Sequence, residues 1–158
     1  MRKNDYSFIT HWEIAAPIHD VWNSIYESAD WPLWWKGVKQ VTVIKENDSS
    51  GVNGVRAYTW KSVLPYSLSF KMKLIEKIDE QLLRGEAFGE LEGEGTWHFR
   101  RENEITKVQY NWNVKTNKAW MNYFSFILKP LFRLNHNVVM KWGAQGLAKK
   151  LNAKLISY

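Results

Sequence analysis

The strongest constraint in this sequence is its last stretch, residues 117–155. The chain before it reads as short strands, whereas this stretch reads as one long helix or as two joined at Pro130. At ~1.5 Å per residue such a helix is roughly 50 Å long, enough to cross a small domain. Met140, Ala144, Leu147, Ala148, Leu151 and Leu155 recur at helical spacing and form one apolar stripe, with His136 and Gly143 at its edge. Leu131, Leu134, Val138 and Trp142 form a second stripe on another side. A helix that is apolar on two sides is deeply covered, lines a cavity or meets a partner.

The rest of the chain supplies the cover. Tyr6, Phe8, Thr10, Trp12 and Ile14 alternate along a half-buried first strand. Pro17 suits the first turn of a helix, and Ile18, Val21, Trp22 and Ile25 keep helical spacing to about Glu27. A second short helical turn spans Asp30 to Trp35, and Gly37 ends it. Strands two and three are expected over 38–45 and 55–62. Between them lies a turn rich in Asn, Asp, Ser and Gly. Leu64-Pro65-Tyr66 breaks the pattern. Strands four to seven follow over 67–78, 81–88, 91–101 and 105–115, the last alternating most cleanly. Short strands joined by tight turns imply an antiparallel sheet with one apolar face, and only the C-terminal helix is long enough to cover it. The inner residues of the sheet are bulky, while the helix offers Gly143, Ala144, Gly146 and Ala148. Glycine inside a helix costs up to about 1 kcal/mol relative to alanine. Two such positions signal either close packing or a cavity wall.

At 158 residues the chain is expected to form a single domain, 1–158, with a sizeable core. Ten tryptophans are unusual, and tryptophan, large with one polar N–H, suits cavity walls and interfaces. The absence of cysteine excludes disulfides and thiol catalysis, and it fits a reducing compartment. No signal-peptide core follows the basic start, and no apolar run is long enough to span a membrane, so the chain reads as cytoplasmic. The net charge is +6, with one basic cluster of Lys141, Lys149, Lys150 and Lys154. That cluster is either a solvated helix face or a contact for an anionic surface. No nucleic-acid motif is present. No histidine pair has metal-ligand spacing, and Gly89, Gly93 and Gly95 match no phosphate loop, so neither metal nor cofactor is expected.

Several stretches together resemble the SRPBCC (START-like) superfamily, in its polyketide cyclase/dehydrase-like branch and a bacterial subgroup of it. They are Trp-Glu-Ile-Ala-Ala-Pro-Ile-His-Asp-Val-Trp over 12–22, Trp-Pro-Leu-Trp-Trp over 31–35, and Trp60 with Leu64-Pro65-Tyr66. Gly-Glu-Leu-Glu-Gly-Glu-Gly-Thr-Trp over 89–97 and Asn-His-Asn-Val-Val-Met-Lys-Trp-Gly over 135–143, followed by Gly146-Leu147, complete the set. The resemblance covers nearly the whole chain. It implies an α+β helix-grip fold: a curved, seven-stranded antiparallel sheet wrapped around a long C-terminal helix, two short helices between strands one and two, and a deep ligand cavity. It implies no single function, because the fold hosts lipid carriers, hormone and sterol binders, aromatase/cyclases, dehydratases and co-chaperones.

The inner face is expected to carry Trp12, Arg56, Tyr58, Trp60, Phe70, Met72, Trp97, Tyr110 and Trp112, joined by Met140 and His136 from the helix. These residues either fill a core or line a cavity. Their many N–H and O–H groups favour a cavity with a few polar contacts. Arg56 is the sharpest of them. An unpaired buried guanidinium is costly, so it reaches solvent from the strand end or meets a carboxylate, on the protein or on a ligand. His136 is either a hydrogen-bonded structural histidine or a group that donates to a ligand or moves protons. Trp31, Trp34 and Trp35 either cap the core or rim the cavity mouth, where a transient membrane contact is conceivable. Glu90, Glu92 and Glu94 share one strand face and read as a solvated outer surface. The expected partner is a hydrophobic small molecule: a lipid, a quinone or an aromatic polyketide-like compound. The alternative is a cyclase, aromatase or dehydratase in which Arg56 or Tyr58 stabilises an enolate and His136 moves protons. A third reading is a protein-interaction role, and the state is monomer or dimer.

Overall fold

A computed structural model describes residues 5–158. Strand β1 (Asp5–Ala15) leads into α1 (Ile18–Tyr26), a single 3₁₀ turn (Ser28–Asp30) and α2 (Trp31–Trp34). Six strands follow: β2 (Val38–Lys45), β3 (Val55–Trp60), β4 (Leu68–Ile78), β5 (Leu82–Gly89), β6 (Leu91–Glu102) and β7 (Ile105–Thr116). Helices α3 (Ala119–Tyr123) and α4 (Ser125–Lys150) come next, and β8 (Lys154–Ser157) closes the chain. The sheet runs β2-β3-β4-β5-β6-β7-β1-β8, every neighbouring pair antiparallel. This is an α+β helix-grip fold, with the sheet curved around α4.

The eighth strand corrects the sequence reading, which counted seven and carried the helix to Leu155. The helix stops because Asn152 adopts a left-handed conformation, φ 48°. Its N–H donates to the Lys149 carbonyl and that of Ala153 donates to the Ala148 carbonyl. This is the paired cap by which helices end when a residue tolerant of positive φ follows them. Leu155 keeps its burial by another route: it lies opposite Ile14 in the sheet and packs on the core. The expected joint at Pro130 also moves. The two helices divide at Phe124, and α4 runs unbroken through Pro130. Proline lacks the N–H that would bond back four residues, but Phe126, whose carbonyl loses that donor, is exposed.

The glycines of α4 are close-packing positions. A Cβ on Gly146 would stand 1.9 Å from the Trp34 carbonyl oxygen, and one on Gly143 would stand 2.4 Å from the Trp35 ring. The absent side chains let α2 lie directly on α4. Trp35 then donates its Nε1–H to the Val139 carbonyl at 2.8 Å. Ala144 and Leu147, both 0% exposed, complete this end of the core.

Candidate functional site

Where α4 leaves the Trp34–Trp35 contact toward its N-terminus, a cavity of about 130 Å³ opens between helix and sheet. That is an order of magnitude above the roughly 10–15 Å³ one water needs. Its walls are mostly rings. Tyr58, Trp60, Phe70, Trp97, Tyr110 and Trp112 stand on it with Met72 and Met140, residues expected on the inner face, and Trp31 and Trp35, expected at the mouth, stand on it as well. His136 and Asn135 close it from α4. The rings support one another: Trp97 stacks on Tyr110 with centroids 4.0 Å apart, Trp31 lies 4.9 Å from Trp35, and Trp35 meets Trp60 edge-on at 5.3 Å.

Three named residues sit elsewhere. Trp12 is 1% exposed and packs behind the cavity against Trp35 and Trp97, as core. Trp34 stacks on Trp35 and points away from the cavity. Arg56 lines a second, smaller chamber of about 70 Å³ that shares Trp31, Tyr58, Met72 and Trp97 with the first. Nor do Trp31 and Trp35 rim an entrance, because both are buried. The Trp31 N–H is spent on the Ser24 and Ile25 carbonyls, which pins the ring inside.

The smaller chamber has its own polar chain. Arg56 donates from Nη1 to Ser28 Oγ at 2.8 Å and to the Tyr26 carbonyl at 3.3 Å. Ser28 Oγ and the Tyr58 hydroxyl are 2.7 Å apart and share a hydrogen bond. No carboxylate forms a salt bridge with Arg56 among the described residues. Gly85 and Gly95 pair across β5 and β6 and floor this chamber. A Cβ on Gly95 would meet the Tyr110 hydroxyl at 2.6 Å, so this glycine makes room for the Tyr110 and Trp112 rings. The acidic trio stays outside, as expected: Glu90 pairs with Lys118, Glu92 with Lys115 and Glu94 with Arg84.

Tyr6, Phe8, Leu68, Leu91, Val114, Thr116, Phe132 and Val139 also line the main cavity, and the sequence reading did not nominate them. Tyr6 and Phe8 were recoverable, since they share the β1 face with Trp12. Leu128, Phe132, His136 and Val139 form a helical stripe of their own, which the two longer stripes obscured.

The polar atoms of the main cavity are the informative ones. Tyr6 OH, Trp60 Nε1 and both ring nitrogens of His136 are enclosed without a hydrogen-bond partner in the protein. Trp12 Nε1, Trp34 Nε1 and Tyr66 OH are in the same condition away from the cavity wall. An enclosed polar group without a partner costs about 1–3 kcal/mol. The His136 ring lies 4.3 Å from Phe8, nearly parallel at 12°. Burial pulls its pKa down to about 4; the Asn137 side chain lies near enough to oppose that shift in part but makes no hydrogen bond of proper geometry to either ring nitrogen, so the ring is neutral near pH 7. A neutral imidazole presents one donor and one acceptor. Burial raises the Tyr6, Tyr58 and Tyr110 hydroxyls, which therefore stay protonated.

A family model described as polyketide cyclase / dehydrase and lipid transport matches residues 14–135. Among solved structures, the di-domain ARO/CYC BexL of the BE-7585A biosynthetic pathway superposes with a TM-score of 0.76 at 15% identity. It covers 96% of this chain and 52% of its own, so this chain spans about half of that protein. The Zhui aromatase/cyclase of Streptomyces sp. R1128 gives 0.73 at 10% identity, covering 94% of both chains. A START superfamily protein of Mycobacterium smegmatis gives 0.72 at 11%, covering 94% and 97%. Identities this low establish the fold and not the chemistry. No curated protein matches the sequence.

Proposed function

The chain belongs to the polyketide cyclase / dehydrase and lipid transport family, and we propose that within it this protein binds a small ring-bearing apolar molecule in the cavity between sheet and α4. One observation carries the reading: a ring-walled cavity is lined by Tyr6, Trp60 and His136, whose OH, Nε1 and ring nitrogens are enclosed without partners in the protein. The rings supply burial at roughly 25 cal/mol per Å² of apolar surface, less the cost of ordering the ligand. The unpartnered atoms supply orientation. A ligand hydroxyl or carbonyl that meets them removes a standing penalty, whereas a pure hydrocarbon leaves it in place. A quinone or an aromatic polyketide-like compound fits this set better than an unadorned acyl chain.

Titration of tryptophan fluorescence with naphthalene and with 2-naphthol compares ligands of one shape that differ by one hydroxyl. The expected result is tighter binding of 2-naphthol by about tenfold, a preference that His136→Phe and Trp60→Phe erode. Equal affinity for the two compounds, or a preference untouched by both substitutions, would remove the polar half of the reading.

A second reading is supported by the Arg56–Ser28–Tyr58 chain in the adjoining chamber. In a cyclase, aromatase or dehydratase, a substrate carbonyl beside Tyr58 would accept its hydrogen bond, with Arg56 stabilising the developing enolate through Ser28. His136 would then move protons, and a bell-shaped pH–rate profile that loses one limb in His136→Ala distinguishes this from binding alone.

A further inference from the structure

The outward face of the helix that walls the cavity is itself apolar. Tyr123 and Phe126 are 79% and 76% exposed, and Phe124, Ile127, Leu131 and Leu134 are exposed beside them. Ile127, Leu131 and Leu134 follow one another at helical spacing, so they form a stripe and not scattered points. Phe132 and His136 on the same helix turn inward to the cavity. An exposed apolar patch of this extent marks a surface that meets something.

The charge around it says what. The segment from Asn117 to Tyr158 contains seven basic residues and no acidic one. The first 116 residues hold the other 15 basic residues against all 16 acidic ones, so the entire net charge of +6 originates in this C-terminal segment. Arg133 stands exposed at the edge of this face beside Phe126, and Lys141 stands exposed about two turns beyond Leu134, whereas Lys129 turns toward the Tyr6 ring. A second copy of the chain is a poor match for such a face. Symmetric pairing sets like patches against each other, which here brings cations against cations. An aqueous surface of anionic headgroups over hydrocarbon matches both properties at once. Aromatic and aliphatic side chains enter the headgroup boundary while lysine and arginine hold the phosphates.

We propose that α3 and the first half of α4 dock on a membrane surface carrying anionic lipid. The face concerned points away from the cavity, so the inference holds whatever the cavity binds. The ligand and the membrane would lie on opposite sides of one helix.

Co-sedimentation of the whole protein with vesicles tests it, using phosphatidylcholine alone and phosphatidylcholine mixed with phosphatidylglycerol. The expected result is binding to the phosphatidylglycerol vesicles that weakens with salt, and little binding to phosphatidylcholine. The pair Tyr123→Ser with Phe126→Ser is expected to lower that binding about tenfold with the thermal melt unchanged. Arg133→Glu is expected to weaken the binding and its salt dependence together. Failure to pellet with phosphatidylglycerol vesicles at low salt overturns the proposal, and so does pelleting that the serine pair leaves intact. A wild-type dimer that the serine pair converts to monomer also overturns it, and assigns the face to a second copy.

Discussion

The two halves of α4 differ in bulk and do opposite things. From Val139 to Lys150 the helix is locked: Gly143 and Gly146 admit the Trp35 ring and the Trp34 backbone, and Ala144 and Leu147 are sealed from solvent. From Ser125 to Val138 it meets the sheet along β1, through Phe132 on Tyr6 and His136 on Phe8, and leaves space beyond that strand. Phe132 and His136 face a cavity on one side, and Leu131 and Leu134 face solvent on the other. The contrast lies in side-chain size. Where the helix is reduced to glycine and alanine, Trp34 and Trp35 settle directly onto it, and where bulky rings face a bulky helix they leave space between them. One end of the helix carries stability, which leaves the other free to be a binding wall.

Gly146 is where the locked half is most sensitive. Alanine there gains up to about 1 kcal/mol of helix propensity. It also drives a methyl into a backbone carbonyl that cannot rotate away. Gly146→Ala is therefore expected to lower stability by about 3 kcal/mol in urea unfolding, and an unchanged or raised midpoint would deny that this half is locked.

Acid tests the other half. The folded-state pKa of His136, about 4, lies below the unfolded value near 6.5. The unfolded chain therefore takes the proton first. Stability from this group is complete above about pH 6.5 and falls as pH drops toward 4, by about 2–3 kcal/mol. Urea midpoints across that window are expected to fall less in His136→Phe than in the parent, and parallel slopes would mean that the ring is not desolvated.

Phe132→Ala sharpens the contrast further. A buried phenylalanine normally costs about 3–5 kcal/mol on truncation, much of it for the void left behind. Here the void already exists, so about 2 kcal/mol is expected, below the cost at Gly146, and calorimetry on the two variants gives the ranking. Trp60→Phe has the smallest effect. It keeps a ring, removes an N–H that has no partner in the protein, and is expected to change stability by less than about 1 kcal/mol. A larger loss would show that this N–H is satisfied inside the fold.

Most of the architecture was legible because alternation and helical spacing are local. The β7 pattern, the break at Leu64-Pro65-Tyr66 and the covering helix all lie in short windows of sequence. The eighth strand was hidden because Leu155 fits a helical stripe and a strand equally well, and the deciding residue, Asn152, signals only through its tolerance of positive φ. The membership of the inner face was readable, but its division was not. Trp12 and Trp60 look alike in sequence, yet one is packed against Trp35 and Trp97 behind the cavity while the other lines it. The reason for Gly143 and Gly146 lies in Trp34 and Trp35, far away along the chain. Arg56 turns one nitrogen to a hydroxyl and a carbonyl rather than to a carboxylate. Such facts arise only when distant segments meet.

Native mass spectrometry of the protein and of the combined His136→Phe, Trp60→Phe variant, each with added 2-naphthol, tests most directly whether the space beside the first half of α4 is a binding site. A one-to-one adduct is expected on the parent protein and a weakened one on the folded variant. A parent protein that takes up no 2-naphthol, or a variant that holds it equally well, would contradict the assignment of that half of the helix to binding.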